Sequence, residues 1–382
     1  MISPLTVDNK TSSEIAAGGL WFSEKSVIGR KMRLPGVARL FDKRGKYLAS
    51  AFCSPGSRYY LRVITTADIQ IDATFLKSAI IKASKKRTEL MKITDAYRVV
   101  NSEGDSLPSI VIDRYNDIFA FQLTSAGAET LKTDLISIVR EEFSPKTIIE
   151  KNAVSSRKRE NLPETEKIVF GKDTSTIVRE GDLRFEVNVL YGQKTGAYLD
   201  YRPFRFEAEK LAHGRCLDLF AYQGWLSCHI AKNAKMVTAI DSSQEALAAA
   251  RKNAVLNSIS NIEFSRADAF DYLKTCCGLF DFIHIDPPAV AKNRSDVGPA
   301  IGALKKITLS GIKRLNPGGT LLISSCSHKI TERILEGVVI DTGRAAKRTG
   351  RVVFRGIQDL DHKPRKGLAQ SLYLKGIAAN FE

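Results

Sequence analysis

A cysteine and an acid carry the most chemistry in this sequence. Cys326 stands in Leu322-Ile323-Ser324-Ser325-Cys326-Ser327, just past an apolar run. Asp286 stands in Ile283-His284-Ile285-Asp286-Pro287-Pro288, just past another. If the two runs are neighbouring strands of a parallel sheet, thiol and carboxyl lie side by side at the edge where such sheets bind ligands. A thiolate adds to electron-poor carbon, and a carboxyl group suits the polar edge of a flat heterocycle. The pair therefore suits covalent attack on a planar base. Free cysteine is more often a small buried apolar residue, which is the reading for Cys216 and Cys228. The flanking serines and the place after a strand set Cys326 apart.

Further acids recur at the ends of apolar runs. Asp218 closes one in Leu217-Asp218-Leu219, followed by the loop Phe220-Ala221-Tyr222-Gln223-Gly224. Asp241 closes Val237-Thr238-Ala239-Ile240, and Asp268 follows Arg266-Ala267. An acid after the second strand suits a ribose diol; Asp268 suits an adenine amino group. Gly224 lets the first loop approach a ligand without a side chain. Each acid taken singly reads more readily as a loop or cap residue; their order along the chain gives the set its meaning. The sequence has no Gly-x-Gly-x-x-Gly and no Gly-x-x-x-x-Gly-Lys-Ser/Thr, so no phosphate cradle is expected. Adenosine without phosphate points to S-adenosylmethionine.

The elements that must hold these residues are legible from periodicity. Strands are expected over 216–220, 237–240, 262–266, 280–285 and 319–324, with helices over 202–211, 225–232 and 244–257. This alternation implies a doubly wound α/β sheet. Short apolar runs at 37–41, 47–52 and 59–64, split by Asp42-Lys43-Arg44-Gly45 and Ser54-Pro55-Gly56-Ser57, predict a small N-terminal β unit. Helical spacing is expected over 75–91 and 129–143. The charged stretch 152–163 reads as a mobile loop. Three domains are expected: 1–72, a small β unit that by the resemblance given below is a PUA-like RNA-binding domain; 73–182, α+β; and 183–382, the α/β domain.

Lys and Arg number 58 against 42 Asp and Glu in 382 residues, a formal charge of +16. That excess favours an anionic partner, foremost nucleic acid. Basic groups recur at Lys85-Lys86-Arg87, Arg157-Lys158-Arg159 and Lys305-Lys306; the loop carrying Arg157 is the expected RNA contact. Trp21, Phe22, Tyr59 and Tyr60 are stacking candidates, although core packing is the usual fate of such rings. The six cysteines include no Cys-x-x-Cys, so neither zinc nor a disulfide framework is expected. Reduced thiols, no secretory leader and no apolar span imply a cytoplasmic protein without a membrane partner, monomeric or homodimeric.

The chain resembles the bacterial 23S ribosomal RNA cytosine-C5 methyltransferases that carry an N-terminal PUA domain. The resemblance runs through Gly104-Asp105-Ser106-Leu107-Pro108, Ile112-Asp113-Arg114-Tyr115, Gly192-Gln193-Lys194-Thr195-Gly196 with Leu199-Asp200, Asp218-Leu219-Phe220-Ala221-Tyr222, Asp286-Pro287-Pro288 and Ser325-Cys326-Ser327. It implies a Rossmann-like methyltransferase domain with a PUA-like barrel and a central α+β domain. It implies S-adenosylmethionine as cofactor, held by Asp218, Phe220, Tyr222, Gly224, Asp241, Asp268, Asp286, Lys194 and Tyr198. Asp286 would also serve the target base, and Cys326 matches the family's nucleophile. His328 or Lys194 is expected to supply positive charge beside that thiol.

Two departures stand out. The family commonly has Tyr-Thr-Gly-Gly in the first loop, where this chain has Tyr222-Gln223-Gly224-Trp225, so a large ring replaces a glycine near the cofactor. Lys-Phe commonly follows Asp-Pro-Pro, where Ala289-Val290 stand here. The alternatives are methylation of a guanine nitrogen, which needs no thiol, and a non-catalytic RNA-binding or assembly role. The base that removes the C5 proton has no assigned residue.

Overall fold

The computed structural model describes residues 2–288 and 294–382. The departure at Ala289-Val290 falls outside them. The chain forms two compact units. One comprises Met1–Glu180, Val187–Tyr198 and Leu360–Ala369; the other comprises Gly181–Glu186, Leu199–Asp359 and Gln370–Glu382.

In the first unit, a six-stranded sheet runs in the order Trp21–Phe22, Leu61–Thr65, Tyr47–Cys53, Gly36–Phe41, Ile2–Val7, Val27–Ile28. Three of these strands match the apolar runs. The strand Ile2–Val7, parallel to Gly36–Phe41, and the helix Asn9–Ala16 were not expected. Asp8 caps that helix by accepting from the Thr11 N–H at 2.6 Å. A five-stranded sheet follows, in the order Glu166–Phe170, Thr147–Lys151, Ile118–Leu123, Ile110–Tyr115, Ala96–Asn101. Helices Ala73–Lys85 and Lys132–Phe143 accompany it, and Val37 and Phe52 of the first sheet share its core with Leu76, Ile80 and Phe119.

The helix expected over 75–91 breaks in two, Ala73–Lys85 and Thr88–Met91. Arg87 sits at the break, 5% exposed, and its guanidinium donates to both carboxylate oxygens of Asp105, at 3.0 and 2.5 Å. Asp105 also accepts from Lys86 Nζ at 2.9 Å and the Asn101 N–H at 2.8 Å. The Gly104-Asp105-Ser106-Leu107-Pro108 motif is thus a buried anchor. A second anchor joins two other motifs: Thr195 Oγ1 donates to Asp113 Oδ2 at 2.6 Å, and Tyr115 OH meets Thr195 Oγ1 at 3.0 Å.

The stretch 152–163 is not a bare loop. Arg157, 1% exposed, donates to the Leu123 carbonyl and to Glu129 at 2.7 Å, and Glu160 pairs with Arg62 at 2.6 Å. Arg157 therefore leaves the expected RNA contact, because its charge is already matched inside the fold. Lys158 and Arg159 stay exposed. Of the stacking candidates, Phe22 and Tyr60 are buried; Trp21 and Tyr59 are half-buried, their rings 4.8 Å apart.

The second unit carries the α/β sheet. Its strands are β1 (Arg215–Leu219), β2 (Met236–Asp241), β3 (Ile262–Arg266), β4 (Phe280–Ile285), β5 (Leu315–Ser325), β6 (Gly350–Ile357) and β7 (Lys375–Phe381), in the order β3-β2-β1-β4-β5-β7-β6. The first five are parallel; β7 runs antiparallel to both β5 and β6. The helices are α1 (Arg202–Leu211), α2 (Trp225–Ala231), α3 (Gln244–Leu256), α4 (Ala269–Thr275), α5 (Val297–Ile312) and α6 (Glu332–Ala345). Leu217, Ile283, Leu321 and Ile323 from the sheet pack with Leu304, Ile307, Leu335 and Val338 from α5 and α6. The strand order reverses between β1 and β4, so the ligand crevice lies beyond their carboxyl ends.

Burial pushes the Asp105 carboxyl up, but Arg87, Lys86 and the Asn101 N–H together hold it below the usual carboxylate range. A depressed carboxyl stabilises the fold above its unfolded pKa and loses that contribution as pH falls through its folded value. Asp105→Asn is expected to cost about 3 kcal/mol in chemical denaturation at neutral pH, by stranding a buried guanidinium. The gap to wild type should begin to narrow below about pH 4, the range of an unfolded aspartate, and close as the native carboxyl protonates at lower pH still.

Candidate active site

The sheet delivers the acids in order. Asp218 lies within β1, Asp241 ends β2, Asp268 follows β3 and Asp286 follows β4. Cys326 follows β5, the strand paired with β4 through Ile285 and Ile323. All five belong to one unit and to one edge of one sheet. Lys194 and Tyr198 belong to the other unit, where the Lys194 ammonium lies 4.4 Å over the Tyr198 ring.

The first loop is bent back on itself. Phe220, Tyr222 and Gly224 have φ of 64°, 48° and 72°. Two of these are side-chain-bearing residues in the left-handed region, a strained arrangement that clusters at ligand sites. Asp241 fixes the loop: its carboxylate accepts from the Tyr222 N–H and from the Ser243 N–H, each at 2.9 Å. A Cβ on Gly224 would lie 2.8 Å from Ala250 Cβ of α3, so only glycine fits both the conformation and the packing. Trp225 does not crowd the loop. Its side chain is 6% exposed, stacked 4.3 Å from Phe185 at 10°, with the Arg205 guanidinium 5.0 Å from its ring. Asp268 is exposed and caps α4, its Oδ1 accepting from Phe270 and Asp271 N–H at 2.9 and 3.0 Å.

Asp218 is fully buried and its two oxygens face protein groups. Ser227 Oγ donates to Oδ2 at 2.5 Å, and His284 Nδ1 meets Oδ1 at 2.8 Å. The contacts continue: His284 Nε2 to Tyr201 OH at 2.6 Å, Tyr201 OH to Ser324 Oγ at 3.0 Å, and Ser324 Oγ to Asp286 Oδ1. A hydrogen-bonded chain thus joins the acid of β1 to the acid after β4. Its proton count is constrained. Ser324 donates to Asp286, so Tyr201 must donate to Ser324 and His284 Nε2 must donate to Tyr201. Burial and the charge of Asp286 push the Tyr201 phenol well up, so it stays protonated.

The turn after β5 is braced locally. Ser325 Oγ accepts from the Ser327 N–H and Ser327 Oγ from the Lys329 N–H, both at 3.4 Å. Cys326 between them is half-buried. Cys216 and Cys228 are fully buried, and burial pushes each thiol up to about 12. His328 is exposed; partial desolvation and the ammoniums of Lys375 and Lys329 pull its imidazolium down. It is a poor source of positive charge for Cys326. The cation at that turn is Lys375, which the sequence reading missed. No strand was expected over the Arg-rich 350–357 or over 375–381, and an antiparallel strand is what brings Lys375 opposite Ser325. Among the described residues no cluster of His, Cys, Asp or Glu could hold a metal ion, and no helix is long and apolar enough to cross a membrane.

A strand order with an antiparallel seventh strand, an acid at the end of β2 and a bent first loop define a methyltransferase fold, for which S-adenosylmethionine is the cofactor. The Methyltransferase small domain family matches residues 205–355, and the PUA-like domain family matches residues 5–66. A Streptococcus mutans SAM-dependent methyltransferase superposes with a TM-score of 0.80 at 21% identity, covering 100% of both chains. A methyltransferase solved in complex with SAH gives 0.82 at 22% identity, again over 100% of both chains. The ribosomal RNA large subunit methyltransferase I of Tolumonas auensis is 35% identical over 351 residues, 88% of each chain. Its Klebsiella pneumoniae namesake is 33% identical over 368 residues, 92% of each. The chain belongs to the ribosomal RNA large subunit methyltransferase I family.

Tyr201→Phe removes the middle hydroxyl of the buried chain and leaves His284 Nε2 and Ser324 Oγ without it. The expected loss is about 1–3 kcal/mol of stability, read by denaturant unfolding. A variant as stable as wild type would show that the chain contributes nothing to the fold.

Proposed function

We propose that this protein methylates C5 of a cytosine in large-subunit ribosomal RNA, with Cys326 as the nucleophile. The observation that carries the reading is the placement of Cys326 and Asp286 at adjacent strand ends next to the switch point, with Ser324 of β5 hydrogen-bonded to Asp286. C5 of cytosine is too weak a nucleophile to take a methyl group directly. Addition of the Cys326 thiolate at C6 makes C5 enamine-like. Asp286 accepts from the N4 amino group and, in its protonated form, donates to N3 as negative charge builds on the ring. S-adenosylmethionine supplies the methyl group, C5 takes it, and loss of the C5 proton with expulsion of the thiolate restores the aromatic ring.

The residues around the first loop suit that donor. Asp241 is held rigid by two backbone N–H groups and retains lone pairs for the ribose hydroxyls. Asp268 uses Oδ1 as a helix cap, leaving Oδ2 for the adenine amino group. Phe220, Tyr222 and Gly224 shape the loop over the donor. Asp218 acts behind that loop, through Ser227 and His284, because it is buried among protein donors. The basic surface, including exposed Lys158 and Arg159, and the PUA-like domain hold the RNA. The target base must leave its stack to reach Asp286. Methylation of a guanine nitrogen would leave Cys326 without a role.

Cys326→Ala should bind S-adenosylmethionine as wild type does in calorimetry and transfer no methyl to ribosomal RNA. Retained transfer to cytosine would sink the mechanism. Asp241→Ala should weaken donor binding at least about tenfold, the loss of more than one hydrogen bond to a charged group. Unchanged affinity would remove Asp241 from the ribose site.

A further inference from the structure

Lys375 opens β7, the strand antiparallel to β5, and pairs in register with Ser325. Its side chain is 3% exposed, and its ammonium donates to the Ser327 carbonyl at 2.5 Å. The nitrogen therefore reaches into the turn that holds Cys326. The strand's approach is tied down as well: Tyr373 OH donates to Asp200 Oδ2 at 2.8 Å. Among the described residues no carboxylate comes within ion-pair distance of Lys375.

A buried ammonium costs several kcal/mol unless an anion faces it. The residue between the two that Lys375 meets, Ser325 by register and Ser327 by hydrogen bond, is Cys326, and its thiol is the ionisable group of that turn able to become an anion. We propose that Lys375 and Cys326 form an ammonium–thiolate pair, with Lys375 the positioning residue that keeps the nucleophile ionised. The proton balance needs no third reactant: the thiol proton passes to the lysine amine. The pair also explains how the sulfur leaves again. Addition to C6 turns the thiolate into a neutral thioether and strands the buried ammonium. Elimination restores the counter-ion.

Burial pushes Lys375 down to about 8, against the opposing pull of Cys326, so its charge is within reach of titration. The other charged groups nearby do not serve the same end. His328 and Lys329 lie in the turn, and His328 is held towards its neutral form. Asp286, after β4, accepts from Ser324. Arg355 of β6 faces Glu332 and Glu336. Asp200 engages Tyr373.

The pair rests on the nucleophile reading only for its purpose; its existence is tested without RNA or donor. The full-length protein is alkylated with iodoacetamide across pH 5–10, and each cysteine is followed by peptide mass spectrometry. Exposed Cys277 is the reference thiol in the same molecule. Cys326 should reach half-maximal rate below the ~8.5 of a free thiol. Lys375→Met should raise that midpoint by at least about one unit, and Lys375→Arg should not, since an opposite charge nearby favours the thiolate. A one-unit rise leaves about tenfold less thiolate at neutral pH, so methyl transfer by Lys375→Met should fall about tenfold at pH 7 and recover by pH 9.5. An ordinary midpoint in wild type overturns the pair, and that arm needs no variant to fold. So does a midpoint that moves in His328→Ala but not in Lys375→Met. If Cys326→Ala still methylates while the alkylation profile behaves as expected, the nucleophile reading fails and the pair stands.

Discussion

The carboxyl edge of the sheet depends on a largely buried run of hydrogen bonds through Ser227, Asp218, His284, Tyr201, Ser324 and Asp286. Three strands of a parallel sheet each contribute to it: β1 gives Asp218, β4 gives His284, and β5 gives Ser324. Parallel strands keep their carboxyl ends together, but their ladder does not orient the groups just beyond. The polar chain does, at high stakes. Every member but the half-buried Asp286 is out of water, so each donor must have its acceptor, and a partial network would be worse than an apolar core. One end braces α2 beneath the first loop through Ser227. The other end aims Asp286, the acid proposed to serve the base.

Much of this edge is legible in the sequence, because acids at strand ends and the alternation of strand and helix are local signals. The strands holding Asp218, Asp241, Asp286 and Cys326 fall where their apolar runs place them. The role of Asp218 is not legible: that it faces Ser227 and His284 depends on residues nine and sixty-six positions away. Lys375 is illegible for a different reason. It begins a strand whose own residues, Lys375-Gly376-Ile377-Ala378-Ala379-Asn380-Phe381, give little alternation, and its importance comes from β7 running against β5. Topology of that kind is long-range, and periodicity does not report it. Trp225 shows the reverse error. A large ring in a glycine position suggests crowding, yet the helix turns it onto Phe185.

The basic balance of the chain divides into two parts in the structure. Arg62, Arg87 and Arg157 are buried in the first unit, and Arg202 and Arg205 in the second. Arg87 and Arg157 also bind backbone carbonyls, as does Arg348 with four. These residues are cross-links, chosen because one guanidinium can reach several carbonyls and a carboxylate at once. The remaining exposed Lys and Arg are the part available to an RNA backbone, where each neutralised phosphate makes binding more salt-dependent. Counting charge from the sequence merges the two parts. Burial separates them, and it removes Arg157 from the exposed charge while leaving Lys158 and Arg159 in it.

The proposed catalysis is covalent, with Cys326 adding to C6 of a cytosine before the methyl group moves. Fluorine at C5 blocks the last proton loss, so a ribosomal RNA transcript carrying 5-fluorocytosine should trap the enzyme. With S-adenosylmethionine present, the account predicts a denaturation-resistant protein–RNA adduct whose cross-linked peptide contains Cys326. Steady methyl transfer to ordinary transcript, with no adduct on the fluorinated one, would contradict it.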